Sequence, residues 1–139
     1  MENPVTLKID GYKDREVVSV NYAFDRAVNP EGQLSGVTRG GQISVKVRAM
    51  NDGNPELPKW MTSPNLAKKG SIEFIKTTDG SKMKAIEFED AYCIKFRETW
   101  EDPGAPKTGE APKQTHFEEI TMTCRKIVLG PVSFELKWV

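Results

Sequence analysis

The chain has 139 residues, in which 20 basic and 20 acidic side chains cancel to a formal charge near zero. That length suits one domain with its own core, independent of metals or disulfides, and the charge balance argues against the basic face that nucleic-acid binding needs. At 37% hydrophobic and 29% charged the composition is globular rather than disordered.

Val5, Leu7 and Ile9 alternate and end at Asp10-Gly11, a turn signal. Before them MENPVTLKIDGYKD has no basic segment followed by an apolar one, so no ordinary secretory signal is expected. Folding is expected in the cytoplasm, with any export by a route that reads no such signal. Arg15 to Phe24 resumes the alternation with Val18, Val20, Tyr22 and Phe24 on one face, which predicts an antiparallel pair with the first run.

Asp25 to Arg39 reads as a polar loop too long for a hairpin turn, carrying Asn29-Pro30 and Gly32. Behind it Gly40-Gly41 frees the backbone, and Ile43, Val45, Val47 and Ala49 alternate with polar neighbours. Thr38-Arg39-Gly40-Gly41 lacks the Lys-Ser/Thr ending and following helix of a phosphate-binding loop, so close backbone approach or a bulge is the better reading. Asn51 to Pro55 ends the strand.

The one helix expected runs from Glu56 to Ser63, with Leu57, Trp60 and Met61 on a shared face and Pro64 as its stop. So short a helix must dock on the sheet or the open end of a barrel. Gly70–Thr78 and Lys82–Glu89 flank Asp79-Gly80, a hairpin signal, and Glu89-Asp90 shifts the parity of the second arm, which suggests a bulge. Trp100 to Lys113, rich in Pro and Gly, is a second long loop. Gln114–Leu129 and Val132–Trp138 close the chain as strands around Gly130-Pro131. The expected fold is mainly β: an antiparallel barrel of about seven or eight strands, with one short helix and two long loops, in one domain spanning 1–139.

Chemistry is sparse. His116 is the single histidine and has no nucleophile motif to serve, so a strand-surface role is expected. Glu118 and Glu119 point to opposite strand faces, and with Glu87, Glu89 and Asp90 they are expected to pair with Lys82, Lys84, Lys95 and Arg97 on solvated faces. Cys93 and Cys124 lie too far apart for a redox or zinc pair and read as small buried hydrophobes. Trp60-Met61 reads as core rather than as the lining of a ligand pocket. No catalytic, cofactor-binding or metal site is expected, and the chain does not read as an enzyme.

Several stretches taken in order resemble one family: SVNYAFDRAVNPEGQLSGVTRGGQISVKV, LPKWM, KKGSIEFIK, AIEFEDAYCIKFRETW, ITMTCRKIVLG and the terminal Trp138-Val139. Together they are similar to the type VI secretion tube proteins of the Hcp family, in the branch typical of Bacteroidota. The resemblance spans Val5 to Val139. It implies a compact barrel with one helix, six copies in a ring, and rings stacked into the inner tube of a contractile machine. The implied partners are further copies of the chain and the sheath, tip or spike and effector proteins, with neither nucleic acid nor membrane insertion. It also implies assembly in the cytoplasm and secretion without a signal peptide. A head-to-tail ring needs contacts reaching from a rigid barrel, which points to the first loop, with Asn29, Glu31, Gln33, Ser35, Thr38 and Arg39 as subunit or ring contacts. A polar contact there favours weak, reversible stacking. A phage-like tail tube protein of an extracellular contractile injection machine, and a small-ligand-binding barrel, are the alternative readings.

Overall fold

The computed structural model describes residues 5–50, 53–76, 78–102, 104–105, 107–109 and 115–136, with the side chain of Thr38 set aside. Its strands are β1 (Val5–Ile9), β2 (Arg15–Tyr22), β3 (Asp25–Val28), β4 (Leu34–Arg39), β5 (Gln42–Arg48), β6 (Lys68–Ile75), β7 (Lys82–Trp100), β8 (His116–Leu129) and β9 (Val132–Glu135), with α1 (Glu56–Thr62) between β5 and β6. Six strands in the order β5-β2-β1-β6-β7-β8 close on themselves through β5–β8, and β9 adds to β8 outside the closure. Every pairing is antiparallel. This is the expected antiparallel barrel, with closure pairing part of the edges that long strands would otherwise leave open.

Alternating apolar residues make the core. Leu7, Ile9, Ile43, Val45, Val47, Ile72, Ile86, Phe88, Ile120, Met122 and Ile127 all point inward, and Cys93 and Cys124 join them as buried thiols. Burial pushes the Cys124 thiol up to about 12 and the Cys93 thiol upward as well. The Asp79-Gly80 turn forms as expected. Gly80 takes φ +73°, and the Asp79 carboxylate accepts from the Ser81 amide at 2.9 Å and its hydroxyl at 2.7 Å.

The two longest strands belong to both halves of the wall. Along β7 the buried positions run Ile86, Phe88 and then Ala91, Cys93; along β8 they run Ile120, Met122, Cys124 and then Ile127. Both parities slip at the same level, where Asp90 sits at φ +50°. There the ribbon bends, so the Glu89-Asp90 step is the expected irregularity. Arg125 fixes the bend: its Nε donates to Asp90 Oδ2 at 2.5 Å and its Nη1 to Glu135 of β9.

Helix α1 caps one end and packs on β7. The Asn54 carboxamide oxygen accepts from the Glu56 amide at 3.0 Å, opening the helix. Leu57 and Trp60 are buried, and the Trp60 indole donates to the Leu66 carbonyl at 2.9 Å. Burying each of these side chains stabilises the fold by roughly 1.5–3 kcal/mol. Met61, an i+4 neighbour of Leu57 expected on the same face, lies on the side of the stripe away from Trp60 and is exposed at its rim.

Two more expectations fail for local reasons. Val18 is exposed, since a register slip between Val17 and Ser19 moves it off the face that Val17, Val20 and Tyr22 share. Glu118 is buried rather than on a solvated face, and it meets Arg15 Nη2 at 2.5 Å. The same nitrogen also reaches the Arg48 carbonyl at 2.9 Å. Elsewhere the carboxylates of β7 stand on solvated faces as expected, but their partners differ: Glu89 lies 3.8 Å from Lys126 and Asp90 meets Arg125, while Lys82 lies 3.7 Å from Glu73. Trp138 and residues 103, 106 and 110–113 of the second expected loop lie outside the described residues; Trp100, expected to open that loop, instead ends β7, and residues 101–102, 104–105 and 107–109 contain no strand or helix.

Candidate subunit interface

The segment 25–39 is not a loop. It is a two-stranded ribbon, β3–β4, paired through Asp25↔Arg39, Arg26↔Thr38 and Val28↔Leu34. The length argument fails because the segment contains its own pairs. It is also the outer continuation of a barrel hairpin. Tyr22 pairs with Ile43 in the wall, and three residues further along Asp25 pairs with Arg39 in the ribbon.

The join depends on Gly40 and Gly41. A Cβ at Gly40 would lie 2.5 Å from Phe24 Cδ1, and one at Gly41, at φ +97°, would lie 2.8 Å from Leu136 Cδ1. Without side chains there, Phe24 turns onto Phe134 of β9 at a centroid distance of 4.8 Å and onto Tyr22 at 6.0 Å. So the expected close approach at Gly40-Gly41 is observed, and it anchors the root of the arm.

Beyond the root, the arm touches little of its own chain. All four residues of β3 are exposed, as are Leu34, Ser35, Gly36, Val37 and Arg39 on the returning strand. The tip holds itself together. The Asn29 carboxamide oxygen accepts from the amides of Glu31 at 3.1 Å and Gln33 at 2.8 Å, while its nitrogen donates to Gln33 Oε1 at 3.2 Å. The Asn29 amide donates to the Gln33 carbonyl at 2.8 Å, and Gly32 at φ +84° completes the turn.

Of the six residues expected to form contacts, the structure brings Asn29, Glu31 and Gln33 together in the tip. Ser35 lies along β4, and Arg39 at the root, opposite Asp25. Thr38 pairs with Arg26 through its backbone, and its side chain lies outside the described residues. What residue-type reasoning missed is aliphatic. Val28, Leu34 and Val37 are 60%, 63% and 79% exposed, and Val28 and Leu34 face each other across the ribbon just inside the tip. An arm carrying such side chains is not the purely polar contact expected of it. The signal was available, since Val28 and Leu34 flank Asn29-Pro30-Glu31-Gly32-Gln33 symmetrically, as hairpin arms flank a turn.

Two other features mark the exterior. At the foot of the arm a cleft of about 270 Å³ is lined by Phe24, Ile127, Leu129, Val132, Ser133 and Phe134. The wall made by β2, β5, the first half of β8 and the second half of β7 also has two open margins. Over residues 93–100, β7 pairs with β8 on one side, and among the described residues no strand pairs on the other. Over residues 19–22, β2 likewise has β5 alone.

The helix-capped end gathers a small set of polar side chains. His116 Nε2 lies 2.6 Å from Glu98 Oε2, and beside them Glu118 is tied to Arg15. Among the described residues no group of three or more His, Cys, Asp or Glu side chains is placed to hold a metal ion. No helix in the described residues is long and apolar enough to cross a membrane.

A family model described as hemolysin coregulated protein Hcp (TssD) matches residues 1–139. Among solved structures, Hcp1 from Flavobacterium johnsoniae is similar with a TM-score of 0.81 at 31% identity, over 95% of this chain and 98% of that one. The Hcp1 protein from the E. coli EAEC 042 pathovar gives 0.72 at 15% identity, over 98% and 99%. A secreted protein, Hcp3 from Pseudomonas aeruginosa, gives 0.63 at 15% identity, over 99% and 100%. The latter two speak for the fold alone. No curated protein matches the chain in sequence.

Proposed function

The chain belongs to the hemolysin coregulated protein Hcp (TssD) family, and from that premise we propose that it is a tube protein of a contractile type VI secretion machine. Six copies close head-to-tail into a ring. Rings stack into the inner tube, which assembles in the cytoplasm inside a sheath and is expelled with effectors behind a tip or spike. The chain does this by assembly rather than catalysis.

The observation that carries the reading is the arm. An isolated two-stranded hairpin is marginal in water, and this one exposes three aliphatic side chains and packs on almost nothing of its own chain. Such a ribbon is stabilised when another surface covers it. The arm, its foot and the two open margins are all different surfaces, so copies associate through unlike patches, and contacts of that kind generate rings or filaments rather than two-fold dimers. Asn29, Glu31, Gln33, Ser35, Thr38 and Arg39 belong to this contact, joined by Val28, Leu34 and Val37.

Negative-stain electron microscopy of the purified chain, with light scattering on the same sample, tests the reading. Hollow six-fold rings with a mass near six times 15.6 kDa support it. A monomer at every concentration and ionic strength overturns ring formation by the chain alone. Arg39→Glu is expected to weaken assembly while the β-rich circular dichroism stays unchanged.

A further inference from the structure

We propose that the Val28–Leu34 pair near the tip of the arm seats in the apolar cleft between β8 and β9 of a second copy of this chain. The inference rests on the assembly reading above and adds to it which two surfaces meet.

Val28 and Leu34 are register partners, so their side chains form one aliphatic knob, more than half exposed. The cleft has the complementary character. Phe24, Ile127, Leu129, Val132 and Phe134 supply its walls, with Ser133 as the one polar residue, and Val132 is 60% exposed at its lip. A knob and a cleft that both hold apolar surface in water gain by covering each other.

A chain cannot satisfy itself in this way. Phe24, which lines the cleft, immediately precedes the arm, whereas the knob lies six residues of extended backbone from Gly40, or about 20 Å at 3.3 Å per residue. Knob and cleft therefore sit at opposite ends of the same ribbon. Each copy offers its knob outward and keeps its cleft at the root, so the occupant that fits is the arm of another copy. The contact is continuous with the proposed interface, since the root that anchors one arm is the seat for the next.

The test is a cross-link in the full-length chain. In the Leu34→Cys/Val132→Cys variant both new thiols are at exposed positions, while Cys93 and Cys124 are buried and withheld from reaction. Mild oxidation is expected to give a ladder of covalent oligomers on a non-reducing gel. An equal mixture of the two single variants is expected to stop at dimers, and neither single variant alone links. Leu34→Asp and Val132→Asp are each expected to raise the concentration needed for assembly by at least about tenfold, and Leu34→Asp/Val132→Lys is expected to restore it. If light scattering shows intact assemblies while no ladder forms and both aspartate variants assemble like the parent, the cleft contact is overturned and the ring reading stands. A disulfide confined to the monomer means that the arm folds onto its own cleft, which overturns the proposal. A parent chain that never assembles removes both readings.

Discussion

The helix-capped end of the barrel and the arm break the usual rule of burial in opposite directions. At the capped end, Arg15 and Glu118 are charged and almost wholly buried; on the arm, Val28, Leu34 and Val37 are apolar and stand in water. A buried charge is tolerated where its partner is already in place within the same chain. An exposed aliphatic cluster is informative for the opposite reason, because little of its own chain covers it. The first region finds its ionic partner within the same chain, and on the proposed reading the second finds its partner in another copy. Stability measurements should therefore respond to the first and assembly measurements to the second.

The largest effect is expected at the capped end. Glu118→Leu leaves the Arg15 guanidinium buried without its carboxylate and should cost about 3–5 kcal/mol, read as a lower denaturant midpoint at unchanged slope. Adding Arg15→Met should return most of that loss, since an apolar pair of similar volume avoids desolvating two charges. Recovery that fails would mean the ion pair fixes the barrel end in a way that packing does not replace. Trp60→Ala, at the helix over the same end, should cost a similar ~3–5 kcal/mol through the cavity it leaves.

Next comes removal of the arm itself. Replacing residues 25–39 by a short Gly-containing turn should abolish assembly while moving the thermal midpoint of the barrel by no more than a few degrees, as expected for a segment with little burial of its own. A barrel that unfolds on this deletion would show that the arm is part of the core, and the contrast between the regions would collapse.

The thiols give a smaller effect that also separates the two regions. Burial raises Cys124 from 9.0 to about 12, so the folded state holds the proton longer than the unfolded one. The stability from this group is complete below about pH 9 and is lost as pH rises from there toward 12. At pH 8 the folded chain should resist thiol labelling at both cysteines, whereas a cysteine placed at Val37 should label at once. The smallest effect belongs to the tip. Asn29→Ala removes its side-chain hydrogen bonds to Glu31 and Gln33 and should speed amide exchange at Gln33, with the barrel midpoint unchanged within error.

Much of the barrel was legible because period-two alternation is a local signal and each wall residue obeys it. The strands, the Asp79-Gly80 turn, the helix and the irregularity at Asp90 all follow from neighbours in the chain. The failures share a different cause. Val18 leaves its face through a single register slip against β5, which depends on a strand far away in sequence. Glu118 looks like any strand carboxylate until closure brings Arg15, 103 residues distant, within reach. The arm was located correctly and described wrongly. Polar residues at 29–35 suggested a loop, yet the side chains that distinguish the arm are the aliphatic ones between them. Knob and cleft are separated by about a hundred residues, so no local pattern relates Leu34 to Val132.

The continuity of the arm with the β2–β5 hairpin has a mechanical consequence. Tension applied at the tip enters the barrel through two adjacent antiparallel strands together and runs along their length. To yield, β2 and β5 must slide as a pair past β1 and β8, which loads the cross-strand hydrogen bonds in shear and all at once. A pull at the open edge of β7 would instead peel such bonds singly. In single-molecule extension the arm should therefore resist clearly higher force than a handle attached at Trp100, and a tube held together by such arms would transmit thrust without its subunits giving way.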